Sequence, residues 1–115
     1  MSIFGSYIKD NFEYQLERAP DHHWIFRHPT SDDEIFIERL TRGNPTRTEL
    51  LTAELALTFG GSNITHKETG KLYIDPQEEY VDKVEKIRKL PRALIVELAL
   101  ALNDYVDDWG AIRKA

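Results

Sequence analysis

The chain has 115 residues, 15 basic and 20 acidic side chains, a net charge of −5 and no cysteine. A length of this order fits one domain that buries about two-thirds of its unfolded surface without covalent staples. The acidity argues against general nucleic-acid binding, and the missing cysteines exclude disulfides and thiolate metal sites.

The first residues, MSIFGSYIKDNFEY, carry neither a basic leader region nor a sustained apolar run. No signal peptide or membrane span is expected, and a cytoplasmic location follows. Ile3, Phe4, Tyr7 and Ile8 have no clear period, so residues 1–11 read as a short first element or an apolar tail. A single domain is expected over 12–110, with 111–115 as a C-terminal tail.

From Phe12 the pattern alternates, with Phe12, Tyr14 and Leu16 on one face and Glu13, Gln15 and Glu17 on the other. That is a half-buried strand. Ala19-Pro20-Asp21 supplies turn chemistry. His23 to Arg27 reads as a second strand, with Trp24 and Phe26 together on one face, and Pro29 ends the hairpin. Ser31 caps a short helix and Glu34 closes its capping box; this helix carries Ile35, Phe36, Ile37 and Leu40.

After Gly43-Asn44-Pro45, Thr46 and Glu49 form a second capping box. The helix they open is expected to reach Phe59, with Gly60-Gly61 as its left-handed C-terminal cap. Residues 62–74 read as a loop or small hairpin anchored by Ile64, Leu72 and Tyr73. Asp75-Pro76-Gln77-Glu78 opens a third helix that buries Tyr80, Val81, Val84 and Ile87 and reaches Lys89. Leu90-Pro91 breaks it and starts the last helix, which Gly110 is expected to end.

That last helix, PRALIVELALALNDYVDDW, confines its polar residues to one side and leaves roughly 200° of apolar surface, wider than the stripe of an ordinary surface helix. Other elements must therefore wrap it. It is too short and too interrupted by Glu97, Asn103 and Asp104 to span a membrane. The expected fold is α+β: an N-terminal β-hairpin, then about four α-helices packed around the C-terminal apolar helix.

Candidate chemistry is sparse. His22 and His28 share a strand face but stand roughly 20 Å apart at strand rise, beyond the reach of one ion. His23 points the other way, and only His66 could approach either, so surface histidines are expected and no metal site is assigned. No G-x-S-x-G elbow occurs, and Gly60-Gly61 follows a helix, where it cannot cradle a phosphate. Paired carboxylates such as Asp32-Asp33 fall in a helix's first turn, where the macrodipole explains them. No catalytic residue, cofactor-binding residue or cofactor is assigned, and the chain reads as a non-enzyme. In the third helix, Glu79–Lys83, Asp82–Lys86 and Glu85–Lys89 are spaced as self-paired surface charges.

Asp104, Asp107 and Asp108 break a local rule. They repel one another on one helix face near a C-terminus, where the dipole favours cations. They are the candidate partner contacts, together with Trp109 beside them, whose other reading, a lid on the core, is the expected one.

The order hairpin, capped short helix, apolar helix ending in Gly-Gly, loop and Leu-Pro-led final helix resembles a tail assembly chaperone of long-tailed bacteriophages. The likeness rests on Trp24-Ile25-Phe26-Arg27-His28-Pro29-Thr30 followed by Ser31-Asp32-Asp33-Glu34, on Glu54-Leu55-Ala56-Leu57-Thr58-Phe59-Gly60-Gly61 with Ser62-Asn63-Ile64, and on Leu90-Pro91 leading to Asn103–Asp108 and Trp109-Gly110. It covers residues 12–110 in layout and phrasing, and brings no site residues with it. The resemblance implies a protein of the host cytoplasm, missing from the mature virion. It would bind the tape measure protein, keep that long helical chain soluble, and help recruit tail tube subunits, through a frameshifted longer form in family members. Self-association along such a client is also implied. Alternatives are a small acidic phage-encoded inhibitor of a host enzyme and a structural neck or tail completion protein. Neither nucleic acid nor membrane is an expected partner.

Overall fold

A computed structural model describes residues 11–114, with side chains through Val106. Its element order is β1 (Asn11–Gln15), β2 (His23–Arg27), α1 (Ser31–Thr41), α2 (Arg47–Leu57), β3 (Phe59–Ser62), α3 (Tyr80–Arg88) and α4 (Arg92–Lys114). The fold is α+β, as the sequence indicates, with a three-stranded antiparallel sheet in the order β1-β2-β3 in place of a two-stranded hairpin. Of the expected first segment, residues 1–11, all but Asn11 lies outside the described residues, and Asn11 opens β1.

The alternation of β1 and β2 does what period-2 patterning requires. Trp24 and Phe26 are fully buried, and Phe12 stacks between Phe26 and Tyr105 of α4 with ring centroids at 6.2 and 5.2 Å. The sheet thus lays one face on α4. Leu55 and Ala56 of α2, Ile87 of α3, and Ile95, Leu98 and Leu102 of α4 complete the core.

Several boundaries differ from the sequence reading. Thr30, one residue earlier than Ser31, caps α1, with Asp33 as the reciprocal partner. Both Thr30/Asp33 and Ser31/Glu34 have capping-box spacing. The choice falls to the first because Arg27, at the end of β2, holds Asp33 at 2.9 Å. The box of Thr46 and Glu49 forms as expected.

Gly60-Gly61 is not a helix cap. The helix ends at Leu57, and Thr58 closes it by giving both its N–H and its hydroxyl to the Glu54 carbonyl. The chain then turns straight into β3, where Phe26 pairs with Phe59 and Ile25 with Gly61, so Gly60 is the extra residue of a bulge. Gly61 has φ +153, and a Cβ on Gly60 would sit 3.1 Å from the Ile25 side chain and 3.2 Å from its carbonyl oxygen. Both positions need glycine for a strand's reasons.

Residues 62–74 include one bridge, Thr65 to Leu72. Ile64 and Tyr73 pack on the core as expected, whereas Leu72 is exposed and Ile74 is the deeply buried residue. Asp75 to Glu78 makes a hydrogen-bonded turn but not yet a helix; α3 starts at Tyr80, after Glu78 has been drawn into an ion pair with Lys86. Val81, expected to be buried, is 70% exposed because α3 is covered on one side only. The backbone of α4 runs through Gly110 to Lys114 and does not stop there. One glycine in a helix costs only about 1 kcal/mol relative to alanine.

Candidate functional site

The apolar arc of α4 is wider than its cover. Ile95, Leu98, Leu102 and Tyr105 are buried, but Ala93, Val96 and Leu100 are exposed, Val96 at 42% and Leu100 at 60%. These three follow one another at spacings of three and four, so they stand in a row on one helix face. The width of the apolar arc predicts all three inside the wrapped surface. The wrap fails because the sheet and α2 meet only one side of α4.

The row floors a groove of about 600 Å³ whose opposite wall is the turn Leu16–Ala19. The turn is fixed by its own backbone: Leu16 donates to the His22 carbonyl, and His22 to that of Ala19. It is also tied to α4. Tyr14 Oη donates to Glu97 Oε2 at 2.7 Å, and the Glu17 N–H donates to the same oxygen at 2.8 Å. Glu97, the lone carboxylate in the apolar run 93–102, therefore latches β1 and its turn to α4 across the groove. The local signal for this was Glu97 standing alone between Val96 and Leu98; its partner, about eighty residues away in the chain, had no signal.

Burial, the hydrogen bond to Glu97 and the nearby charges of Glu97 and Glu17 push the Tyr14 phenol up to about 12. A raised phenol pKa means that the folded state holds its proton longer than the unfolded chain does. The stability contributed by this contact is thus complete below the ordinary value of 10.0 and is lost as pH rises through about 12. Tyr14→Phe is expected to cost ~1 kcal/mol at neutral pH. It should also flatten the alkaline fall in stability, both read by urea unfolding between neutral pH and pH ~12. An unchanged alkaline profile in the variant would show that the latch contributes nothing.

No family model, curated protein or solved structure matches this chain. The site is therefore characterised by its geometry.

Of the sequence-derived contact residues, Asp104 is exposed and closes one end of the groove. The side chains of Asp107, Asp108 and Trp109 lie outside the described residues. The histidines are dispersed. His23 lies 3.2 Å from Glu13, His28 meets Tyr105, and His66 stands edge-on to the Tyr73 ring. Among the described residues, no three His, Cys, Asp or Glu side chains gather where they could hold a metal ion. None of the described helices is long and apolar enough to cross a membrane.

Among the described residues, the groove is lined by apolar side chains, by the latched Glu97, and by the charged Glu17, Arg18 and Asp104 at its margins. That combination suits contact with an apolar helix stripe whose polar edges reach solvent.

Proposed function

We propose that this chain is a non-enzymatic assembly chaperone of a long-tailed phage, working in the host cytoplasm and missing from the finished particle. Its α4 groove holds amphipathic helices of the tape measure protein, and the bound complex helps recruit tail tube subunits. The observation that carries the binding part is the exposed row Ala93, Val96 and Leu100 along a groove of about 600 Å³. A long client helix presents residues at i, i+3 and i+7, the same spacing as this row, so two such stripes interleave. The identity of the client comes from the likeness of layout to tail assembly chaperones.

Affinity capture of the tagged protein from cells producing the phage, read by mass spectrometry, tests both parts. One very long helical protein recovered with tube subunits is the expected result. Leu100→Asp is expected to abolish that recovery while leaving the fold intact, because Leu100 already faces solvent, and Asp104→Lys is expected to weaken it. A host nuclease or polymerase in place of the long protein would replace this reading with the inhibitor. Neck proteins, with this chain present in purified particles, would replace it with a structural role.

A further inference from the structure

A second concavity, of about 370 Å³, opens on the other side of α4, between the first half of α1 and the end of α2. Its floor is apolar, built from Ile37, Leu57, Leu102 and Val106. Asp33, Glu34, Glu38 and Glu54 surround that floor, and no lysine or arginine lines it among the described residues. Two of the four carboxylates are already answered, Asp33 by Arg27 and Glu38 by Arg42, each at 2.9 Å. The carboxylates of Glu34 and Glu54 have no hydrogen-bond or ion-pair partner among the described residues.

Glu54 is the informative one. It is half-buried on the wall of the pocket, against Leu57 and the end of α2, and burial raises its carboxyl above the ordinary range. A half-buried carboxylate with no partner weakens the fold unless something supplies the missing charge. On an exposed helix face such a residue turns into water; here the wall of the pocket holds it over apolar surface.

We infer that this pocket is a docking site for a basic amphipathic helix of a protein partner, with apolar side chains on the Ile37–Leu102–Val106 floor and a lysine or arginine set between Glu34 and Glu54. Charge complementarity selects this occupant. A purely apolar helix would leave both carboxylates desolvated and unanswered, and an acidic one would be repelled by them. A long basic side chain lays its methylenes on the floor and brings its charge to the rim, which matches the composition of the pocket. The site is separate from the α4 groove, so each fails or stands without the other.

The test uses the full chain with a synthetic 14-residue helical peptide of leucine and lysine, and its leucine–glutamate counterpart, followed by calorimetry and by methyl NMR. The Leu/Lys peptide is expected to bind, shift the methyls of Ile37, Leu57, Leu102 and Val106, and weaken as salt rises. Glu34→Gln with Glu54→Gln is expected to lower its affinity at least about tenfold. The charge-matched control Glu68→Gln with Asp82→Asn, on exposed residues elsewhere, should leave it within about twofold. Leu100→Asp, which removes the groove's own hold on an amphipathic helix, should leave the peptide-induced shifts of the four pocket methyls unchanged.

Equal loss in both double variants would overturn the proposal in favour of diffuse attraction to an acidic protein. So would equal shifts of the pocket methyls with the Leu/Glu peptide, or shifts confined to Val96 and Leu100. Concentration-dependent shifts of the pocket methyls without any peptide would overturn it in favour of a second copy of this chain.

Discussion

Trp24→Ala is expected to lower the free energy of unfolding by ~3–5 kcal/mol. Trp24 sits on the central strand of the sheet with no exposed surface, and its ring meets that of Phe59 edge-on at 4.9 Å. Truncation opens a cavity where β2, β3 and the helices meet, and the sheet cannot collapse into it without losing the Phe26–Phe59 register. Trp24→Phe should cost much less than its volume suggests. The indole Nε1 is buried with no hydrogen-bond partner among the described residues, so removing it relieves a desolvated donor. Urea unfolding of both variants reads the difference; an alanine loss below ~1 kcal/mol would mean that the sheet does not rest on this ring.

The second large effect is a contrast within one helix. Leu98→Ala is expected to cost ~2–5 kcal/mol, because Leu98 is fully buried, and Leu102→Ala, at 4% exposure, falls in the same range. Leu100→Ala, two residues from either, should cost less than ~0.5 kcal/mol because that side chain is 60% exposed. Chemical denaturation of the three variants separates the buried side of α4 from its groove side. Equal losses at all three positions would show that α4 is wrapped on every side and that no groove exists for a client.

This contrast also marks where the sequence stops being informative. The alternation Phe12-Tyr14-Leu16 and Trp24-Phe26 named the sheet face that is buried, and the apolar run after Pro91 named the helix it rests on. Nothing local separated Leu98 from Leu100, since both are leucines in the same apolar arc. Gly60-Gly61 was ambiguous in another way. Glycine is favoured both beyond a helix end and in a strand bulge, for the same freedom at positive φ. The open edge of β2 decided between them by offering backbone partners to residues 59–62. Likewise Glu54 reads as an ordinary helix residue until α1 and α4 close a pocket around it.

By itself, then, the sequence determined what depends on neighbours three or four residues away. The Thr46–Glu49 box, the break at Leu90-Pro91, the period-2 strands, the α+β order and the apolar character of the last helix are all of this kind. Only the tertiary structure decided which capping box of two closes α1, that a third strand forms, that Glu97 latches Tyr14, and which side of α4 is left open. Those outcomes are set by contacts between residues far apart in the chain. They depend on how much of a helix's circumference one small sheet and one neighbouring helix can cover, and no local pattern carries that quantity.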